Sequence, residues 1–233
     1  MRHTSTPGAR RLTARVDVIP NLYRRAVLTA LFPIACPGCG APAEPVCARC
    51  AATLRPPAPA APPPAVDRWA AAFAYEGVAR ELVARTKYRN VRGVVPWLAA
   101  RMVDAFDEGG SAVGVIVTWA PTTPARRRAR GFDPAEVLAR EVARRLRRPC
   151  RPLVRRLPGP PQTGLLAAAR RRGPRVVPAR AGSRRVPGAH VLVVDDVATT
   201  GATLGAVATA LRDAGAARVL AVTAARTPAP RST

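Results

Sequence analysis

Two adjacent acids near the C-terminus are the first candidates for chemistry, in the stretch VLVVDDVATTGAT, residues 191–203. Four apolar residues lead into Asp195 and Asp196, and three threonines and Gly201 follow. In an α/β fold, ligands bind at the carboxyl ends of the strands, where such acids would lie. A glycine before a helix lets backbone N–H groups come close to an anion, which the helix dipole also attracts.

This pattern predicts a site for a phosphorylated ribose, with the vicinal hydroxyls on the two carboxylates and the phosphate in the loop. An aspartate-rich turn with an N-capping threonine is the alternative. The sequence contains neither GxxxxGK[ST] nor GxGxxG, which argues against P-loop and dinucleotide sites. The residues of the expected phosphate loop are Val197, Ala198, Thr199, Thr200, Gly201, Ala202 and Thr203.

Four of the five cysteines form a second constellation, CPGCGAPAEPVCARC, with the spacing C-x2-C-x7-C-x2-C. Two C-x2-C pairs direct four thiolates at one ion, and four soft ligands in a tetrahedral arrangement select zinc. A closed shell of sulfur ligands predicts a structural site, here called the knuckle, formed by Cys36, Cys39, Cys47 and Cys50. Two disulfides are the alternative, and they require an oxidising compartment. We expect Cys150 to be an ordinary thiol.

The charge of the chain is strongly positive, with 38 Lys and Arg against 14 Asp and Glu and a net charge of +24. Nineteen arginines and three acids between Arg126 and Arg185 account for +16 of this charge. Such a surplus predicts affinity for polyanions or phosphorylated molecules, and an arginine-rich coding bias is the alternative. Lys87 is the only lysine, and its compact ammonium would suit a functional role; chance survival of one lysine on a helix end is the alternative.

Composition divides the chain into four parts. We assign residues 1–54 to an N-terminal helix, over 22–31, and the knuckle. Residues 55–66 contain RPPAPAAPPP, which is typical of an extended spacer without residues to pack. A core domain over 67–227 and a tail over 228–233 follow. We therefore expect a change in the knuckle to leave phosphate binding largely intact.

The apolar run AVLTALFPIA is ten residues long, too short to span a bilayer. Arginines before it and Cys36 after it could imitate a lipoprotein signal, but Pro33 interrupts the run. We expect no membrane span and a cytoplasmic protein.

Apolar segments of strand length alternate with amphipathic helices across the core domain. This order predicts the α/β class, with a parallel sheet covered by helices on both faces. The expected strands are 69–75, 113–121, 190–196 and 217–225, and the expected helices are 78–88, 94–106, 134–146 (with Asp133 as N-cap) and 202–215.

VLVVDDVATTGAT resembles the phosphoribosyl pyrophosphate (PRPP) signature of type I phosphoribosyltransferases. The ordered set of knuckle, AYEGVARELVARTKYRN, PTTPARRRARGFDPAEVLA, PPQTGLLAAARR and this signature resembles the ComF family of competence-associated, phosphoribosyltransferase-like proteins. The resemblance covers about residues 30–227 and implies a parallel-sheet phosphoribosyltransferase-like core with an N-terminal zinc knuckle.

The resemblance implies that Asp195 and Asp196 hold the ribose hydroxyls of PRPP, that Mg²⁺ accompanies PRPP, and that Lys87 belongs to the catalytic set. The family reads RGFNQ or RGFDQ where this chain has RGFDP, so Pro134 stands in place of an amide. The segment after strand 113–121 corresponds to the pyrophosphate-binding region and is also a candidate DNA contact, and its residues are Thr122, Thr123, Arg126, Arg127, Arg128 and Arg130.

Two functions of different classes follow from the resemblance. The first is an enzyme that transfers phosphoribose to an acceptor that the sequence does not identify. The second is a protein that handles single-stranded DNA beside competence-machinery proteins such as a helicase, with a regulatory or residual PRPP site. Aromatic residues for base stacking are sparse, at 4%. A nucleotide-sensing regulator of RNA is a more distant third.

Overall fold

The computed structural model describes residues 35–42, 45–87, 93–107, 114–158, 173–180 and 182–228. The helix predicted over 22–31 and the motif PPQTGLLAAARR lie outside these residues. The described residues fall within one compact unit. No helix in the described part of the chain is long and apolar enough to cross a membrane.

Six helices and six strands follow one another in the described residues, besides one short 3-10 turn. The helices are α1 (Ala48–Ala52), α2 (Gly77–Arg85), α3 (Val94–Asp107), α4 (Pro124–Arg130), α5 (Pro134–Leu146) and α6 (Ala202–Asp213). The strands are β1 (Arg68–Ala74), β2 (Val115–Trp119), β3 (Val154–Arg156), β4 (Val176–Pro178), β5 (His190–Ala198) and β6 (Arg218–Arg226).

The core is a four-stranded sheet in the order β1-β6-β5-β2, and every pair in it is parallel. Leu192 and Val194 of β5 pack with α2, α3 and α5 on one face. Val191 and Val193 alternate with them and pack with α6 on the other face. The predicted α/β class, with a parallel sheet covered on both faces, is therefore confirmed.

Strand β5 is longer than its neighbour β2, and this difference opens the edge of the sheet. Trp119 is the last residue of β2 and pairs with Val194. β5 continues to Ala198 because β6 still pairs with it as far as Arg226. Asp195 and Asp196 therefore lie inside the strand, whereas the sequence predicted that the strand ends with them. On the side of β2, Asp195 and Asp196 lie near the residues that follow Trp119, where the chain leaves the sheet.

Helices α4 and α5 begin with caps that the sequence encodes. Thr123 accepts a hydrogen bond from the Arg126 N–H, and Asp133 accepts one from the Ala135 N–H. Gly131, with a φ of 74°, ends α4 in the left-handed region. The bounds and N-cap predicted for α5 are confirmed. By contrast, the sequence predicted neither α4 nor the antiparallel pair β3–β4.

The proline-rich segment after the knuckle is packed at its C-terminal end. Pro63 is buried, and a Cβ atom added to Gly201 would lie 2.7 Å from the Pro63 Cγ atom. A Cβ atom added to Gly205 of α6 would lie 3.4 Å from the Pro64 Cδ atom. Asp67 then forms an ion pair with Arg212 of α6. The expectation of a spacer with nothing to pack is wrong here, because Gly201 and Gly205 leave room for the proline rings.

Candidate functional site

The four cysteines of the knuckle converge as their spacing predicts. Their Sγ atoms all lie within 4.8 Å of one another, and α1 presents Cys50 from its first turn. The Sγ atoms of Cys39 and Cys47 are 3.6 Å apart, much longer than a disulfide bond of about 2.05 Å. All four thiols are free. The cluster could therefore hold a metal ion such as zinc.

The electrostatics of the knuckle favour a cation among the thiols. Burial raises the pKa of Cys36, but hydrogen bonds from backbone N–H groups outweigh it and lower this pKa to about 6. Burial and the neighbouring cysteines raise the pKa of Cys50 to about 12. Four thiols this close cannot all ionise beside one another, and a divalent cation removes that conflict.

A polar cleft of about 170 Å³ lies where β5 extends beyond the end of β2, at the carboxyl ends of the parallel strands. It collects side chains from five separate segments of the chain. The lining residues are Lys87, Ala120, Pro121, Thr122, Arg126, Arg130, Asp133, Pro134, Ala135, Arg156, Asp195, Asp196, Val197 and Thr203.

Asp195 and Asp196 form the acidic wall of this cleft. The Oδ1 atom of Asp195 accepts a hydrogen bond of 2.8 Å from the Asp196 N–H, and that of Asp196 accepts one of 2.8 Å from the Val197 N–H. Burial and the negative charge of Asp196 raise the pKa of Asp195 well above its ordinary value of 3.8. A cationic ligand or counterion would relieve this repulsion.

Lys87 reaches the acidic wall from the end of α2. Its Nζ atom lies 3.5 Å from the Oδ2 atom of Asp196, with the two side chains 32% and 19% exposed. The structure thus brings together the three residues that the resemblance grouped as catalytic, although they are separated by more than a hundred residues in sequence.

Asp133 is a residue of the cleft that sequence reasoning recognised only as a helix cap. It is 3% exposed, and its Oδ2 atom accepts a 2.8 Å hydrogen bond from the Thr122 N–H. Its Oδ1 atom accepts a 3.1 Å bond from the Ala135 N–H. Burial raises the pKa of Asp133 despite these two bonds. One carboxylate therefore fixes the turn after β2 to the start of α5, and only the folded chain shows it.

Three arginines face the acidic wall, and sequence reasoning missed one of them. Arg126 and Arg130 come from α4, whereas Arg156 comes from β3 and is half-buried. Burial and the charge of Arg126 lower the pKa of Arg156, and Asp195 raises it only in part. A desolvated guanidinium beside another guanidinium gains from a bound anion. The RR pair at 155–156 was visible in the sequence, but which arginine turns inward was not.

The other candidates for the pyrophosphate region lie beside the cleft. Arg127 forms an ion pair with Glu136, with 3.3 Å between the Nη2 and Oε2 atoms, and Arg128 is exposed. Thr123 caps α4, as described above. Of the expected pyrophosphate or DNA residues, the structure places Thr122, Arg126 and Arg130 in the lining of the cleft.

The expected phosphate loop joins the end of β5 to α6. Thr199 and Thr200 are exposed, Gly201 is buried, and Thr203 lines the cleft. The Thr227 side chain donates a 3.1 Å hydrogen bond to the Thr199 carbonyl. Gly201 has a φ of 73° and lies against Pro63, so a side chain here would be strained and would meet the proline ring. The sequence explained this glycine by the approach of a phosphate alone.

Comparison with known proteins adds an independent finding. Residues 133–232 match the family model described as phosphoribosyl transferase domain, a region that contains β5, the loop and α6. Lys87, Thr122, Arg126 and Arg130 lie outside the matched region. No curated protein sequence matches the chain significantly.

Two solved structures are similar to this chain. The first is described as the allosteric regulatory enzyme of purine biosynthesis, with 20% identity and a TM-score of 0.37 over 62% of this chain and 26% of that one. The alignment thus spans about a quarter of that enzyme's length. The second is the hypoxanthine phosphoribosyl transferase of Trypanosoma cruzi, with 16% identity and a TM-score of 0.35 over 65% of this chain and 76% of that one.

The family match covers β5, which carries the acidic wall, and the loop and helix α6 that follow it. Strand β5 is itself part of the all-parallel sheet. The chain therefore has the parallel-sheet phosphoribosyltransferase fold and carries a phosphoribosyl transferase-type domain over residues 133–232.

Proposed function

We propose that the cleft binds PRPP with Mg²⁺ and that the protein transfers the phosphoribosyl group to an acceptor. One observation carries this proposal: an acidic wall and a cationic wall face each other at the carboxyl ends of the strands, and the acidic wall lies within the region that matches a phosphoribosyl transferase domain. PRPP has the matching chemistry, because its ribose offers hydroxyls to carboxylates and its phosphates offer negative charge to arginines.

Each wall has a distinct role in this proposal. Asp195 and Asp196 accept hydrogen bonds from the ribose hydroxyls, and Lys87 keeps the second carboxylate in place. Thr203 and the loop before it bind the 5′-phosphate at the start of α6. Arg126, Arg130 and Arg156, together with the Thr122 segment that Asp133 fixes, bind the pyrophosphate. The residues with these roles come from separate segments of the chain, which lie together only in the folded protein.

The chemistry of the cleft follows from where charge develops. As the C1–oxygen bond of PRPP breaks, negative charge accumulates on the departing pyrophosphate. Preorganised guanidinium groups stabilise that charge more than they stabilise the bound substrate, which lowers the barrier. The carboxylate oxygens of Asp195 and Asp196 are also suitable ligands for Mg²⁺, which when bound supplies further positive charge to the phosphates.

Calorimetry with PRPP, with and without Mg²⁺, tests the binding step. Pyrophosphate release in the presence of a panel of nucleobases then tests transfer. Binding with release identifies a transferase and its acceptor. Binding without release for any base supports the alternative of a regulatory PRPP site, whereas the absence of binding in both conditions contradicts the proposal.

A second candidate function is the handling of single-stranded DNA in natural transformation, as the resemblance to the ComF family implies. The specific observation is the exposure of the basic block. Sixteen of the nineteen arginines between Arg126 and Arg185 lie in the described part of the chain, and thirteen of these are exposed. Glu136 pairs with Arg127 and Arg140 of this block, and Glu141 pairs with Arg144 and Arg145. In this proposal the protein is cytoplasmic and acts beside a helicase-like partner.

Binding of labelled single-stranded DNA at several salt concentrations tests this function. The slope of log K against log salt is about −0.7 for each phosphate neutralised on a single strand. Because Arg126 belongs to both the cleft and the basic block, PRPP should compete with DNA. Heparin is the control, and DNA binding that is indifferent to PRPP and no tighter than heparin binding contradicts the DNA function.

A further inference from the structure

The knuckle is seated on helix α2. Cys36, which is fully buried, and Cys50, which is 5% exposed, belong to the same hydrophobic cluster as Leu82 and Val83 of α2. A Cβ atom added to Gly38 would lie 2.8 Å from the Cys50 Sγ atom and 3.0 Å from the Val78 Cγ1 atom. The backbone between the two C-x2-C ligands of the first pair therefore lies directly against the first turn of α2.

Helix α2 depends on such packing for its position. It has nine residues, and its N-cap residue Glu76 makes no side-chain capping bond. A helix of this length is marginal by itself, so tertiary contacts must hold it. Its apolar contacts on the knuckle side come from residues whose own fold requires four sulfur ligands around one ion.

The other end of α2 carries Lys87 into the cleft. The Thr86 hydroxyl donates a 2.7 Å hydrogen bond to the Val83 carbonyl, and the Lys87 N–H donates a 3.1 Å bond to the Ala84 carbonyl. Lys87 therefore follows the last turn of α2 closely, and its Nζ atom lies 3.5 Å from Asp196. A displacement of α2 would move this ammonium relative to the acidic wall.

We infer that the knuckle is a positioning element for the cleft: metal held by the four cysteines fixes α2, and α2 places Lys87 beside Asp196. The inference rests on the proposed function for its ligand, PRPP. It replaces the expectation that the knuckle and the phosphate site are independent. Loss or oxidation of the thiolate ligands would then weaken PRPP binding without altering a residue of the cleft.

Hydrogen exchange on the full chain tests whether metal in the knuckle stabilises α2, and this measurement needs no PRPP. Zinc is removed with a chelator and then restored. We expect faster exchange of the α2 amides from Ala79 to Lys87 without zinc, recovery when zinc is added back, and a much smaller change in α5. Exchange in α2 that is unaffected by zinc, or that changes equally in α5, overturns the inference.

Substitutions test the link to the cleft while all four cysteines remain. Val78→Ala removes the contact with the knuckle, and Val103→Ala is its control, a partly buried valine of α3, which contributes no residue to the cleft. We expect Val78→Ala to keep one zinc and to weaken PRPP binding about 2- to 30-fold, and Val103→Ala to leave it unchanged.

The double variant, Val78→Ala with Lys87→Met, distinguishes an effect that acts through Lys87 from a general loss of stability. Lys87→Met alone should weaken PRPP binding about tenfold or more, through loss of a charged contact. If the knuckle acts through Lys87, Val78→Ala adds little to Lys87→Met, because coupled sites are not additive. Full additivity overturns the inference. Wild-type protein that binds no PRPP contradicts the proposed function instead, and hydrogen exchange then decides the inference alone.

Discussion

The knuckle and the cleft are two polar sites in one compact unit, and they are built in opposite ways. The knuckle takes its four ligands from fifteen consecutive residues, Cys36 to Cys50. The cleft takes its charged side chains from α4, β3 and β5, from the residue that follows the last turn of α2, and from the N-cap of α5. The knuckle could therefore form its ligand set locally, whereas the cleft exists only when the sheet has assembled.

The two sites also resolve their electrostatic conflicts differently. In the knuckle, like groups crowd together, and one cation could satisfy them all. In the cleft, Asp195 and Asp196 repel each other and Arg126 and Arg156 do the same, and each pair faces the other across open space. A ligand with both hydroxyls and phosphates interacts favourably with both pairs. Without a ligand, the two repulsions lower the stability of the folded protein, and ligand binding offsets this loss.

The largest effect is expected from Cys50→Ser, which removes a buried ligand of the knuckle. We expect wild-type protein to carry one equivalent of zinc, and the variant to lose it together with several kcal/mol of unfolding free energy, because metal binding stabilises a segment with a small core. Metal analysis and denaturant unfolding measure the two changes. Cys150→Ser is the control, since Cys150 lies outside the cluster and should affect neither. A Cys50→Ser protein that retains one zinc contradicts a four-cysteine site.

Next in size is the effect of Arg156→Gln on the cationic wall. We expect PRPP binding to weaken about 10- to 100-fold, because a charged hydrogen bond is worth about 1.5–3 kcal/mol. Arg155→Gln removes the same charge from the exposed neighbour on β3 and should change the affinity little. Calorimetry of both variants gives the comparison. Equal losses would indicate that general positive charge, rather than the geometry of the cleft, attracts the ligand.

A smaller effect, of opposite sign for stability and binding, is expected from Asp195→Asn. The pKa of Asp195 is raised by burial and by Asp196, so the folded protein holds this proton more tightly than the unfolded chain does. Its stabilising contribution is complete below the ordinary pKa of 3.8 and is lost as the pH rises through the raised value. Asparagine cannot ionise and avoids this loss.

Ligand-free Asp195→Asn should therefore be more stable than wild type at pH 8, where the stabilising contribution of the protonated carboxyl is lost. The difference should shrink towards pH 4, and PRPP binding should weaken at pH 8. Thermal unfolding at the two pH values measures the effect, at about 2–4 °C per kcal/mol for a chain of this size. A stability difference that does not depend on pH contradicts the role of the buried carboxyl.

The sequence alone determined whatever depends on neighbours in the chain. The spacing of Cys36 to Cys50 predicted one cluster, and the four thiols converge. The capping residue Asp133 and the apolar period predicted α5 at its observed bounds. Apolar strands alternating with helices predicted the parallel sheet. Local patterns suffice for these features because each is set by dihedral preferences, side-chain period or ligands a few residues apart.

Tertiary structure decided which residues face one another. The relative lengths of β5 and β2 place Asp195 and Asp196 in the lining of the cleft, and no local pattern encodes that difference. The pleat of β3 turns Arg156 inward and Arg155 outward, and the turn after β2 brings Thr122 onto Asp133. Pro63 meets Gly201 across more than a hundred residues of sequence. Such contacts depend on how sheet, helices and knuckle pack together, because burial and distance between remote segments arise only when the whole chain folds.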